Sequence, residues 1–125
     1  MRDGGEVVEM GNFVEAGKTG ELNEGAMKEV LLQKHSILLA RVDNRYYAAD
    51  NLCPHMEGKL SKGTLEGTVI TCPIHGSKFG LKDGQVIRWL RGTGAVSALG
   101  KLLKPPKRLK IYNVKIEGDS ILIEI

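Results

Sequence analysis

Four side chains in this 125-residue sequence have the types and spacing to hold a metal centre. Cys53 and His55 stand in Cys53-Pro54-His55. Sixteen residues further on, Cys72 and His75 stand in Cys72-Pro73-Ile74-His75-Gly76-Ser77-Lys78-Phe79. These are both cysteines of the chain and two of its three histidines. Each short loop offers one thiolate and one imidazole, donors that suit an iron–sulfur cluster, zinc or copper. A two-Cys, two-His zinc finger groups its ligands as a cysteine pair followed by a histidine pair. Here the order alternates Cys, His, Cys, His, which suits a dinuclear centre with the cysteines on one metal and the histidines on the other. A structural zinc site is the competing assignment, and colour separates the two, because zinc absorbs no visible light.

Such loops need a scaffold, and the sequence around them reads as antiparallel β structure. Met1 to Asn12 is polar and Gly-rich. Strands are expected at Phe13–Ala16, Ala26–Gln33, Ser36–Asp43 and Arg45–Asn51, with bends at Lys34-His35 and Asp43-Asn44. Ser36–Asp43 alternates, with Leu38, Ala40 and Val42 on one face and Ile37, Leu39 and Arg41 on the other. Thr64–Glu66 and Thr68–Thr71 are expected to form a hairpin leading into Cys72, folding one ligand loop back beside the other. Val86–Leu90, carrying Trp89, is a further strand. Residues 92–104 are small, flexible and basic at their end, and three glycines make them a poor helix. They form either a plain surface loop or a partner-specific lobe. After Pro105-Pro106, Lys110–Glu117 alternates with Tyr112, Val114 and Ile116 inward. Gly118-Asp119 turns the chain into Ser120–Ile125, whose Ile121, Ile123 and Ile125 share a face.

With the ligand order and these strands in view, the chain resembles the Rieske-type [2Fe–2S] ferredoxins, in their low-potential, soluble class. The signature is Cys-x-His, sixteen residues, then Cys-x-x-His-Gly-Ser. The similarity extends to Asn51-Leu52-Cys53-Pro54-His55, the Gly63-Thr64-Leu65 hairpin and the proline segment before the last two strands. The resemblance implies an all-β fold, a Rieske-type antiparallel β-sandwich with a small inserted cluster-binding subdomain. Residues 1–125 would form one domain, with the subdomain at about 51–81. It implies one [2Fe–2S] cluster, with Cys53 and Cys72 on the inner iron and His55 and His75 on the outer iron near the surface. It also implies one-electron transfer from a flavin reductase to a terminal oxygenase. The alternative role is a Rieske subunit of a larger oxidoreductase. Pro105-Pro106 either covers the cluster, as in that family, or simply turns the chain. Met56 either shields the cluster or only packs.

Ligand type sets the redox behaviour. Two thiolates cancel the charge of an oxidised two-iron core and imidazoles add none, so an electron is added to a neutral site. With four thiolates it would be added to a site already negative, which costs more. Around the ligands, the high-potential respiratory members of the family carry a disulfide where this chain has Gly58 and Ile74. They also carry a tyrosine hydroxyl where it has Phe79. Loss of donors to the cluster sulfurs argues for the low end of the Rieske range, about −150 mV rather than about +300 mV. Ser77 pulls the other way, because it matches a serine that donates to a bridging sulfide.

The remaining composition excludes more than it assigns. At 42% hydrophobic the chain can fill a modest core. It has no apolar h-region after Met1 and no apolar run near the roughly eighteen residues of a membrane span, so a cytoplasmic protein is expected; separately, it is expected to be a monomer. No nucleotide fingerprint or nucleophile–base pair suggests an enzyme. Net charge is +3 but uneven. Residues 1–30 hold Asp3, Glu6, Glu9, Glu15, Glu21, Glu24 and Glu29 against Arg2, Lys18 and Lys28. Residues 88–110 hold Arg88, Arg91, Lys101, Lys104, Lys107, Arg108 and Lys110 with no acid. That basic stretch is either a solvated face or a surface for an acidic partner. It lacks the interleaved aromatics of nucleic-acid binding. His35, away from both loops, is expected to be an ordinary surface histidine.

Overall fold

The structure, a computed structural model, describes residues 12–55, 58–74, 76–89 and 106–125. The N-terminal tip at 1–11, Met56, His75, Leu90, residues 92–104 and Pro105 therefore lie outside the described residues.

Eleven strands make three antiparallel sheets among the described residues. Strand β1 (Phe13–Lys18) pairs with β11 (Ser120–Glu124), which pairs with β10 (Val114–Glu117). The second sheet runs β2 (Met27–Leu32), β3 (His35–Val42), β4 (Arg45–Asp50) and β9 (Ile111–Tyr112). The third runs β5 (Thr64–Glu66), β6 (Val69–Thr71), β7 (Lys78–Gly80) and β8 (Val86–Arg88).

Two tight turns fix the second sheet. Gln33 and Lys34, then Asp43 and Asn44, all have positive φ between 47° and 74°. Two left-handed residues in succession give the hairpin turn whose twist matches the flanking strands. The first turn falls one residue earlier than the expected Lys34-His35 bend, so His35 opens β3. It is exposed, with its ring 6.4 Å from that of Tyr112. At the second turn the Glu24 carboxylate accepts both the Asn44 and Asp43 amides. Those two hydrogen bonds hold its pKa below the ordinary carboxylate value.

Strand β3 is the shared wall of the molecule. Ile37, Leu38, Leu39 and Ala40 are all 0% exposed, so both of its faces are covered. Ile37 and Leu39 join Leu22, Ala48, Tyr112, Ile121 and Ile123 in a core against the first sheet. Leu38 and Ala40 face the other way, into a core with Cys53, Leu60, Ile70, Cys72, Phe79 and Trp89. The alternation expected of this strand thus separates two interiors rather than an interior from solvent.

The expected strand Lys110–Glu117 is two strands. The chain changes sheets at Asn113, whose backbone carbonyl accepts the Glu124 amide at 3.0 Å and whose side chain donates to Glu124 Oε1 at 2.9 Å. Tyr112 points inward, Val114 is half-buried, and Ile116 is 44% exposed rather than inward. Before that switch the segment leading to β9 lies on the turn after β7. The Leu109 amide donates to the Gly84 carbonyl at 3.0 Å. Gly84 has φ +77°, and a Cβ there would stand 2.0 Å from the Leu109 carbonyl oxygen, so only glycine fits. Strand β8 pairs with β7, so the third sheet runs past residue 81 to Arg88.

Candidate metal centre

The two ligand loops are closed in the same way. The Cys53 amide donates to the Gly58 carbonyl and the Cys72 amide to the Ser77 carbonyl, each at 2.8 Å and each to the fifth residue onward. In each loop the cysteine therefore sits at the closed neck, and in the first loop His55 lies on the arc between. Cys53 and Cys72 are each 1% exposed and His55 is 8% exposed. His55 is more deeply placed than a surface ligand, because the Trp89 ring lies against it with centroids 4.9 Å apart. His75 falls outside the described residues.

Their supports differ. The first loop leaves β4 through Asn51, which is fully buried. The Asn51 side chain donates to Ser36 Oγ at 3.1 Å and accepts the Ser61 amide at 2.8 Å. Its backbone joins Ser36 and Leu60 at 3.0 and 2.7 Å. Leu52 then bridges Lys59, and a short 3-10 turn at Leu60–Lys62 leads on to β5. The second loop lies between paired strands, since Thr71 of β6 faces Lys78 of β7. Arg88 Nε donates to the Gly76 carbonyl at 3.0 Å, and the Ser77 hydroxyl donates to the Trp89 carbonyl.

The loops are backed onto one another at Gly58. A Cβ there would stand 3.2 Å from Cys72 Sγ and 2.3 Å from Ile74 Cγ1. The first loop thus passes directly over the second cysteine, and its glycine leaves room beside the sulfur. Among the described residues no three His, Cys, Asp or Glu side chains converge on a single ion. A two-iron core asks for something else, ligands distributed about two metals. Two buried thiols and a buried imidazole, carried on loops folded together, fit that group in donor type and arrangement.

Ser77 also ties the second loop to the protein itself. It was the residue expected to donate to a bridging sulfide. It is 0% exposed, and its single hydroxyl proton goes to the Trp89 carbonyl. Phe79, also 0% exposed, has no proton to give. Asn51 and Arg88 were not singled out as supports. Asparagine and arginine are ordinarily surface residues, and nothing in their spacing marks them.

A family model for the Rieske [2Fe-2S] domain matches residues 12–100. The chain belongs to that family. It carries a Rieske-type [2Fe–2S] cluster and is an electron carrier rather than an enzyme. It is 31% identical over 116 residues to the ferredoxin component of the naphthalene 1,2-dioxygenase/salicylate 5-hydroxylase systems of a Ralstonia species. That alignment covers 91% of this chain and 96% of the relative. It is 29% identical to the ferredoxin component of the naphthalene 1,2-dioxygenase system of Pseudomonas aeruginosa, over 90% of this chain and 95% of the relative. The fold is that of the ferredoxin of carbazole 1,9a-dioxygenase from Nocardioides aromaticivorans IC177. The TM-score is 0.72 at 23% identity, covering 90% of this chain and 96% of that one. Among the described residues no helix is long and apolar enough to cross a membrane.

Proposed function

We propose that this Rieske protein takes single electrons from a flavin-containing reductase and delivers them to a terminal oxygenase. In this reading Cys53 and Cys72 hold one iron of the cluster, and His55 and His75 hold the other. The observation that carries it is the pair of loops closed by equivalent hydrogen bonds and backed together at Gly58, with both thiols buried between them. The relatives' role as ferredoxin components of dioxygenase systems supports the choice of partners. The protein is read as one domain, 1–125, whose cluster-binding unit begins at about 51. Its expected end at about 81 is extended here to take in β8, which pairs with β7. A monomer in the cytoplasm is the setting that goes with this role.

The chain's own contributions can be stated residue by residue. When bound, the cluster accepts and returns one electron. The two cysteine thiolates would cancel the net positive charge of the oxidised two-iron core, so that an electron is added to a neutral site. The core of Leu38, Leu60, Ile70, Phe79 and Trp89 keeps water from the cysteine side. Phe79 supplies no hydrogen bond to stabilise the reduced state, and the Ser77 hydroxyl lies against the Trp89 carbonyl. The midpoint potential is therefore expected low in the Rieske range, somewhat above its floor of about −150 mV. Protein-film voltammetry checks it, and a value near +250 mV, within the roughly +300 mV upper reach of the range, would contradict it.

The ligand assignment is tested by EPR of the dithionite-reduced protein. His55→Ala and His75→Ala should each abolish the rhombic spectrum, and metal analysis of the parent protein should return iron rather than zinc. An unchanged spectrum after either substitution removes that residue from the ligand set.

A further inference from the structure

Trp89 follows directly on β8 and is 2% exposed. Its indole meets the His55 ring at 4.9 Å between centroids, with the planes inclined at 64°. It also meets the Phe79 ring at 6.3 Å and 88°. Both are edge-to-face arrangements, the favourable geometry for aromatic pairs. Its backbone carbonyl accepts the Ser77 hydroxyl, two residues beyond His75. The preceding residue, Arg88, donates to the Gly76 carbonyl. One short stretch of chain therefore touches the first ligand loop through a side chain and the second through its backbone and its neighbour.

We propose that Trp89 is a positioning residue for the cluster, its indole fixing the His55 imidazole and its carbonyl fixing the second loop through Ser77. The inference rests on the ligand assignment above. An imidazole ligand turns about two bonds, and its orientation must be set by something outside the metal. Here a rigid, buried ring occupies the space into which His55 would otherwise swing. The same ring shields that side of the site from water. Solvent access is one of the levers on a cluster's potential, because water stabilises the extra negative charge of the reduced state. The tie from Ser77 gives the second loop the same reference point, so the two loops are held in register by one residue. A redox site benefits from such rigidity because its ligands are then already in place in both charge states.

The test uses the cluster-loaded protein with Trp89→Leu and Trp89→Phe, read by EPR and protein-film voltammetry, with iron content and melting curves alongside. Trp89→Leu should retain iron, shift the g values of the reduced cluster and raise the midpoint potential. Trp89→Phe, which restores a ring, should bring both readouts part of the way back. Unchanged g values and potential in Trp89→Leu, with iron retained, would reduce Trp89 to core packing and overturn the proposal. If Trp89→Leu does not hold iron, Ser77→Ala decides. It should speed iron extraction by a chelator about fivefold, the weight of one hydrogen bond, and leave the potential in place. A clear fall in potential would show that the hydroxyl serves the cluster instead, and an unchanged extraction rate would show that the tie holds nothing. Either result overturns the proposal. Failure of the ligand assignment would show separately, as an intact rhombic signal in His55→Ala.

Discussion

The two ligand loops use one closing device and two different anchors. In both, a cysteine amide reaches the carbonyl five residues on, at 2.8 Å. The first loop hangs from the base of the molecule. It leaves β4, pairs only through the single bridge of Leu52 to Lys59 before β5, and leans on a polar chain that runs from Glu29 of β2 to Ser36 of β3, to Asn51 and to Ser61. The second loop is the turn of a hairpin whose two strands already pair, with Arg88, Ser77 and Trp89 as added ties. The closing hydrogen bond is therefore independent of how a loop is mounted. The first mount is a side-chain network in a buried place. The second is mostly backbone pairing.

That difference ranks the substitutions that would break each mount. Asn51→Ala should do most damage. It strips both side-chain hydrogen bonds from a fully buried residue and leaves the Ser61 amide without its acceptor, while the Ser36 hydroxyl keeps only Glu29. Unsatisfied buried groups cost the full desolvation penalty, so about 3 kcal/mol is expected. That corresponds to a fall of roughly 10 °C in melting temperature for a chain of this size. Thermal denaturation followed by CD measures it, and iron loss should follow from the first loop. Arg88→Met should cost less, about 1 kcal/mol, because it removes one half-exposed tie from a loop that strand pairing still holds. Equal losses from the two substitutions would mean that the loops are mounted alike after all.

The sequence shows the device more readily than the mounts. Cys53, His55, Cys72 and His75 are visible because metal chemistry needs those residue types at short fixed spacings. The strands are visible because β structure writes a period of two, and Asp43-Asn44 because few residues accept a left-handed turn. What stays hidden depends on partners far along the chain. Ile37 to Ala40 is apolar on both faces of its strand, but nothing in the run itself says that a separate sheet covers each side. Asn113 carries no sign that the chain will change sheets there. Ile116 keeps the alternation of its neighbours and is nonetheless exposed, because β10 lies at the edge of its sheet. Ser77 beside His75 looks like a cluster donor, and only the fold shows that the Trp89 carbonyl, twelve residues on, lies against its hydroxyl.

Acid should separate the mounts more gently than mutation. Glu29 accepts a hydrogen bond from the Ser36 hydroxyl and another from Lys59 Nζ at 3.1 Å, so it sits at the head of the chain that holds Asn51. The Ser36 hydrogen bond first, then that from Lys59, keeps its pKa below the ordinary value of 4.5. A carboxyl whose pKa is lower folded than unfolded contributes stability that is complete above 4.5 and is lost as pH falls through the folded value. Neither Arg88 nor Ser77 ties the second loop through a carboxylate. Below about pH 4.5 the first loop should therefore loosen before the second. The readout is hydrogen-exchange protection of the Cys53 and Ser61 amides against that of the Cys72 amide, corrected for intrinsic exchange. Protection at Cys53 and Ser61 should fall first in the parent protein. In Glu29→Gln it should start lower at neutral pH and change less on acidification. Loss of protection at all three amides together, with Glu29→Gln behaving as the parent does, would show that the Glu29–Ser36–Asn51 chain is not what holds the first loop.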